Sequence, residues 1–122
     1  EQSDIVSLHC PSNDQTRNLI NKESIQKMKN GAILVNVGRG DLAELSAITD
    51  ALQSGKLSSV ALDVFDQEPL TEHPLYAMDN ALVNSHIASV SPKAISTLRE
   101  TAARIAVAAV NGQPLTNIVN GI

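Results

Sequence analysis

The sequence lacks tryptophan and contains only one tyrosine and one phenylalanine among its 122 residues. A hydrophobic core built from this chain must therefore consist of Ile, Leu, Val and Ala. Aliphatic residues of this kind suit a parallel sheet covered by helices, whose strands read as continuous apolar runs. The scarcity of aromatics thus favours an α/β fold for a chain that is 43% hydrophobic and about as long as one small domain.

Other absences disfavour further classes of protein. Cys10 is the only cysteine, which excludes an internal disulfide framework and fits a reducing compartment, so we expect a cytoplasmic protein. The net charge is −4 and no basic stripe occurs, so nucleic acid is not an expected partner. No apolar run reaches the ~18 residues of a membrane span, so a membrane is not an expected partner either. No metal site is predicted.

What the sequence does contain is an alternation of strand and helix patterns. Short apolar runs bounded by turn residues predict four strands, over 4–9, 32–35, 60–65 and 81–84. Apolar residues at helical spacing predict three helices, over 20–28, 45–52 and 91–110, with Asn21 as the N-cap of the first and Ser91 as the N-cap of the last. This order is typical of a mainly parallel sheet with right-handed crossovers. The apolar positions of the long last helix cover more than one face, which indicates burial on two sides.

A dinucleotide-binding fold begins with a strand, a G-x-G-x-x-G turn, a helix and an acidic residue about 20 positions further on. The sequence contains no such segment. We therefore predict the second half of a Rossmann-like parallel sheet flanked by helices, with a long C-terminal helix and the glycine-rich half absent. Residues 1–110 are predicted to form this partial dinucleotide-binding domain. Residues 111–122 are predicted to be a tail that returns toward an absent substrate domain.

Three ionisable residues follow three different predicted strands, namely Arg39, Glu68 and His86. The carboxyl ends of parallel strands meet at one edge of the sheet, where ligands bind in open α/β folds. A guanidinium can hold a carboxylate through two parallel hydrogen bonds. An imidazole can protonate a carbonyl oxygen, and a neighbouring carboxylate orients the ring and raises its pKa. The set suits reduction of a 2-oxo acid, although each residue alone is more often a solvated turn residue or a structural one.

Four segments carry a resemblance to a known family, in order: His9-Cys10-Pro11, Val35-Asn36-Val37-Gly38-Arg39-Gly40, Leu62-Asp63-Val64-Phe65-Asp66-Gln67-Glu68-Pro69 and Ser85-His86-Ile87-Ala88-Ser89. Together they resemble the ordered motifs of the D-isomer-specific 2-hydroxyacid dehydrogenases. This family includes phosphoglycerate, hydroxypyruvate/glyoxylate and D-lactate dehydrogenases. The resemblance spans almost the whole chain and implies the C-terminal part of the family's NAD-binding domain.

The resemblance also implies catalytic roles. Arg39 matches the arginine that holds the substrate's carboxylate and carbonyl. His86 matches the histidine that protonates the carbonyl oxygen while NADH delivers hydride, and Glu68 matches the acid paired with it. Glutamate rather than glutamine at this position distinguishes hydroxyacid dehydrogenases from the formate dehydrogenases of this fold. The family usually has proline before the histidine, whereas this chain has Ser85.

The cofactor implied by the resemblance is NAD or NADP. Cys10 and Pro11 match a loop on the adenosine side, although the Cys10 side chain alone could equally be an inert buried thiol. The nicotinamide half would meet the backbone of Val37 and Gly38, and Asp63 would lie near the carboxamide. The full implied set of cofactor-binding residues is Cys10, Pro11, Val37, Gly38, Arg39, Asp63, His86 and Ala88.

The resulting expectation is a fragment of an oxidoreductase that transfers hydride between NAD(P)H and a small 2-oxo or 2-hydroxy acid. The isolated chain is expected to be inactive, because it has no pyrophosphate-binding turn. Its first strand would expose an apolar edge, which predicts a homo-oligomer or pairing with a missing N-terminal half. The alternative is a non-enzymatic binding or assembly module that retains the fold, as co-repressor relatives of this family partly do. Retention of Arg39, Glu68 and His86 argues against that alternative.

Overall fold

The computed structural model describes residues 1–119, so the last three residues of the predicted tail, 120–122, lie outside the described residues. The chain divides into two compact units. The first unit is Glu1–Ala88, and the second begins at Ser89. All of the candidate site residues belong to the first unit.

The first unit is a four-stranded parallel sheet with two α-helices. Its strands are β1 (Ile5–Leu8), β2 (Ala32–Asn36), β3 (Leu57–Leu62) and β4 (Ala81–Val83), and they lie in the order β1-β2-β3-β4. Its helices are α1 (Lys22–Lys27) and α2 (Leu45–Gln53), and 3₁₀ turns occur at Gly40–Leu42 and Pro74–Ala77. The predicted α/β fold with a parallel sheet is confirmed.

The two faces of the sheet differ in burial. One face carries the core: Leu34, Val60 and Leu62 are at most 3% exposed, and α2 packs against β3. Successive side chains of a strand point to opposite faces. On the opposite face Ile5 and Leu82, at the two outer strands, are 60% and 62% exposed. Apart from Phe65, the buried hydrophobic core consists of Ile, Leu, Val and Ala, as the composition predicts.

The third strand differs from its prediction. It runs over Leu57–Leu62 and not over 60–65. Two serines near its start interrupt the apolar pattern, and the apolar residues of the loop that follows it read as a continuation of the strand. Ser58 is exposed on the strand, so it interrupts the apolar run. Val64 and Phe65 lie beyond the last paired residue yet are 2% and 8% exposed. Their hydrophobicity reflects burial of a loop at the sheet edge.

The first helix is shorter than predicted but begins at the predicted cap. Asn21 Oδ1 accepts a hydrogen bond from the Ser24 amide at 3.0 Å, and the Asn21 amide donates to Ser24 Oγ at 2.9 Å. This reciprocal capping box satisfies two amides that a helix start leaves unpaired. Ile20, predicted to be helical, instead forms an isolated bridge with Ala43.

The second unit contains α3 (Pro92–Val110), which begins at the predicted cap: Ser91 Oγ accepts from the Ala94 amide at 3.1 Å. None of its residues is buried, and Leu98 and Val110 are 71% and 88% exposed. The expectation of burial on two sides is therefore wrong for this chain, because a pattern of apolar residues indicates what a helix can bury and not what covers it. Within residues 1–119, no helix is both long enough and apolar enough to cross a membrane.

Candidate active site

The turn after β2 presents Arg39 at the carboxyl end of the sheet. The side chain of Arg39 is exposed, and its backbone is extended. Its Nη1 donates to the carbonyl of Gly38 at 2.8 Å. The side chain of Asn36 spans the turn: its Nδ2 donates to the Arg39 carbonyl at 2.8 Å, and its Oδ1 accepts from the Gly38 amide at 3.1 Å. The backbone that carries Arg39 is thus fixed from inside the sheet.

Gly40 brings this turn against the chain that leaves β3. A Cβ at Gly40 would overlap the backbone of Phe65 and Asp66. Only glycine fits such a close backbone approach. The contact explains why glycine follows Arg39, and it places the Arg39 turn beside the loop that carries Glu68.

Glu68 and His86 form the one direct side-chain pair among the three predicted catalytic residues. Glu68 Oε2 lies 2.9 Å from His86 Nδ1, and Glu68 Oε1 accepts from the Phe65 amide at 2.9 Å. The two side chains are 37% and 47% exposed. An ionised carboxylate only accepts hydrogen bonds, so Nδ1 carries the hydrogen and Nε2 is the nitrogen available to a ligand.

The carboxyl group of Glu68 is held in its charged form. The hydrogen bond from His86 lowers the pKa of Glu68 below its ordinary value, and the Phe65 amide and the positive charges of His86 and Arg39 lower that pKa further. Of these influences the charge of Arg39 is the smallest, and the side chain of Arg39 makes no direct bond to Glu68.

His86 is held by Asp63, which is only 4% exposed. The Asp63 side-chain oxygens accept hydrogen bonds from the amides of Ile87 at 2.9 Å and Ala88 at 2.8 Å, and the Asp63 carbonyl accepts from the His86 amide at 2.8 Å. His86 has a φ of +58°, in the left-handed region that few residues other than glycine adopt. Three hydrogen bonds to one residue thus secure an unfavourable backbone conformation.

The remaining predicted site residues lie around an open groove at the same edge. Its volume is about 550 Å³, and it is lined by His9, Cys10, Pro11, Ser12, Val37, Gly38 and Arg39. The first and second motifs therefore meet, although they are distant in the sequence. A second cavity of about 360 Å³ adjoins the histidine and is lined by Phe65, Glu68, Pro69, Leu70, Tyr76, Asn84, Ser85 and His86. No cluster of three or more metal-ligating side chains occurs among residues 1–119.

Sequence reasoning missed Asn36 and Gly40 as parts of this site. Asn36 interrupts an apolar run at the last position of a strand, and that interruption was the available signal. It is 1% exposed, and no other polar residue within 1–119 is buried as deeply. For Gly40, no local pattern reveals that another backbone segment lies against it.

Comparison with known proteins agrees with this geometry. Residues 1–88 match the model of the family described as D-isomer specific 2-hydroxyacid dehydrogenase, NAD binding domain. The chain belongs to the D-isomer specific 2-hydroxyacid dehydrogenase family. The resemblance seen in the four motifs is thereby confirmed, and so is the assignment to the family's NAD-binding region.

Relatives within the dehydrogenase family are longer than this chain. It is 43% identical over 121 residues to a glyoxylate reductase of Thermofilum pendens, covering 98% of this chain and 36% of the relative. It is 35% identical over 119 residues to a D-3-phosphoglycerate dehydrogenase of Archaeoglobus fulgidus, covering 97% and 23%. The chain thus spans about a third or less of the length of these relatives.

Solved structures with the same fold include the following three proteins. The TT0316 protein of Thermus thermophilus aligns with a TM-score of 0.91 at 40% identity, covering 95% of this chain and 37% of that one. A D-lactate dehydrogenase of Lactobacillus jensenii with NAD⁺ aligns at 0.87 and 29% identity, covering 98% and 40%. A family member of Xanthobacter autotrophicus in complex with NADPH and MES aligns at 0.80 and 36% identity, covering 97% and 48%.

Proposed function

We propose that this chain supplies the acid–base and carboxylate-binding edge of an oxidoreductase that interconverts a small 2-oxo acid and the corresponding 2-hydroxy acid. The observation that carries the proposal is the hydrogen bond between Glu68 and His86 at the edge where Arg39 is presented. An imidazole whose tautomer is fixed by a carboxylate is a general acid–base, and a nearby guanidinium is a carboxylate receptor.

His86 is the proposed proton donor. Its Nε2 would donate a proton to the substrate's carbonyl oxygen, while Glu68 keeps the hydrogen on Nδ1, orients the ring and stabilises the imidazolium. Arg39 would hold the substrate carboxylate by two parallel hydrogen bonds. In the oxidative direction His86 would accept the hydroxyl proton. These roles agree with those implied by the family motifs.

The proposed cofactor is NAD(H) or NADP(H), which supplies or accepts the hydride when bound. The groove formed by the first two motifs fits such a group, because it is open, lies at the carboxyl edge of a parallel sheet and is lined by small side chains at Cys10, Pro11, Val37 and Gly38. Ala88 and the carboxylate of Asp63 lie at the end of the neighbouring strands. Relatives of this chain include enzymes named for different acids, glyoxylate and 3-phosphoglycerate.

The test is reduction of 2-oxo acids by the complete protein that carries this chain. NADH or NADPH oxidation with glyoxylate, hydroxypyruvate and pyruvate is compared between the wild type and His86→Asn. Asparagine tolerates the left-handed backbone of His86, so the change removes the imidazole at little backbone cost. We expect turnover to fall about 10²–10⁴-fold with cofactor affinity retained. The chain alone is expected to be inactive, because it contains no G-x-G-x-x-G turn.

His73→Asn is the matched control for this test. His73 caps the Pro74–Ala77 turn by accepting from the Leu75 amide, and asparagine can accept the same bond. The control should keep full activity. Turnover that is unchanged in His86→Asn would remove His86 from the mechanism. Cofactor binding without reduction of any of the three acids would favour the non-enzymatic binding or assembly module.

We also propose that the chain associates, either with a second copy or with an N-terminal half supplied separately. In the part of the chain that the structure describes, β1 pairs with β2 alone, and Ile5 and Leu82 are exposed on the same face of the sheet. Open strand edges and apolar faces recruit partners. Sedimentation velocity of the chain should show association at micromolar concentration that weakens in Ile5→Lys. A monodisperse monomer of wild-type chain would contradict the proposal.

A further inference from the structure

Asn36 is a buried polar residue whose position in the fold is unusual. Only three polar or charged residues of the described chain are buried, namely Asn36, Thr49 and Asp63. Thr49 Oγ1 donates to the Leu45 carbonyl one turn earlier in its own helix, as threonines in helices commonly do. Asn36 instead ends a central strand, paired with Leu8 on one side and Leu62 on the other.

Both functional ends of the Asn36 amide are used by the turn that follows. Oδ1 accepts from the Gly38 amide and Nδ2 donates to the Arg39 carbonyl, so the two contacts flank the residue that presents the guanidinium. Only an uncharged amide of this length both donates and accepts here. Aspartate would place an acceptor against the Arg39 carbonyl, and an apolar residue would leave both backbone groups without this partner.

Few contacts orient the guanidinium of Arg39. It is exposed, and its Nη1 is bound to the carbonyl of the adjacent Gly38, which belongs to the same turn. A Cβ at Gly38 would lie 3.3 Å from the backbone oxygen of Cys10 and 3.4 Å from that of Leu8, so a larger residue would crowd the turn. The direction of the Arg39 side chain is therefore set by the backbone of this turn, and the turn is fixed from below by the Asn36 amide.

We propose that Asn36 is a positioning residue that fixes the backbone on which Arg39 meets the substrate carboxylate. This inference rests on the proposed function of Arg39 and adds the group through which that function is organised. Asn36 has no access to the substrate, being buried, so its effect on catalysis is exerted entirely through the turn. Its loss should weaken binding of the 2-oxo acid more than binding of the cofactor.

The test compares Asn36→Leu with Thr49→Val. Leucine is close to asparagine in shape, and Thr49→Val removes the hydrogen bond of another buried polar residue away from the site. In the complete protein, Asn36→Leu should raise KM for glyoxylate at least tenfold and lower kcat, with the Kd for NADH changed less than twofold. Thr49→Val should leave all three constants unchanged. Asn36→Asp should resemble Asn36→Leu.

A second readout uses the chain itself and does not depend on activity. Hydrogen exchange of the Gly38 amide, measured by NMR, should quicken at least tenfold in Asn36→Leu relative to core amides such as that of Leu34. Unchanged relative exchange overturns the inference, and so does faster exchange combined with an unaltered KM. If the wild-type protein reduces none of the 2-oxo acids, the proposed function fails, and the exchange result still decides whether Asn36 holds the turn.

Discussion

The turns that follow β2 and β4 are each held by one buried polar side chain that bonds to the backbone of the turn. The side chain is an amide in the first case and a carboxylate in the second. After β2, the neutral side chain of Asn36 bonds to residues two and three positions further along the chain. After β4, the carboxylate of Asp63 reaches from the end of β3 to the amides of Ile87 and Ala88, which lie 24 and 25 positions away. One turn is stabilised locally, and the other is stabilised only once the sheet has formed.

This difference predicts that Asp63 contributes more than Asn36 to the stability of the first unit. Hydrogen bonds to a charged acceptor contribute about 1.5–3 kcal/mol each, against about 1 kcal/mol for neutral ones. The Asp63 carboxylate also joins two strands, because its bonds connect the ends of β3 and β4. Loss of Asp63 should therefore destabilise the whole unit, whereas loss of Asn36 should act mainly on its own turn.

The largest effect is expected for Asp63→Asn. The change replaces an accepting oxygen with an NH₂ group that faces a backbone amide, and it should lower the free energy of unfolding by about 2–3 kcal/mol. Urea denaturation of the chain followed by circular dichroism measures this. Asp50→Asn, at an exposed position of α2, is the matched control and should stay within about 0.5 kcal/mol of wild type.

Equal stability of the Asp63 and Asp50 variants would mean that the carboxylate does not hold the second turn. We expect Asp63→Asn to lower the free energy of unfolding more than Asn36→Leu does. We expect this order of destabilisation because the acceptor of Asp63 is charged and because its hydrogen bonds span a longer stretch of the sequence.

Much of the fold could be predicted from the sequence, because aliphatic runs and helix caps are local signals. The caps at Asn21 and Ser91 are where their side-chain chemistry places them. The third strand was misplaced by three residues, since a buried loop and a strand have the same hydrophobic composition. Local patterns do not distinguish these two kinds of burial.

The candidate site was only partly predictable, for a related reason. Arg39, Glu68 and His86 attract attention as ionisable residues after apolar runs, and the family motifs imply their roles. The spacing of Glu68 and His86, 18 positions apart, does not show that their side chains meet. The turns of Arg39 and His86 are held by Asn36 and Asp63, which bond to backbone groups. The contacts of Asp63 depend on how neighbouring strands align, which no local pattern reveals.

The pH dependence of the Glu68–His86 pair follows from the sign of the pKa shift. The pKa of Glu68 is lowered in the folded chain by its hydrogen bonds from His86 and from the Phe65 amide. A lowered pKa contributes stability that is fully present above the ordinary value near 4.5 and is lost as the pH falls through the lowered value. The pair therefore stabilises the fold at neutral pH and weakens in acid.

The pairing of Glu68 with His86 is tested by titrating the Glu68 carboxyl carbon by NMR in the wild-type chain and in His86→Asn. Glu68 should titrate below its ordinary pKa in the wild type, and its pKa should rise when the imidazole is removed. Titration of Glu68 at the same pKa in both chains would mean that the imidazole and the carboxylate are not paired at the edge of the sheet.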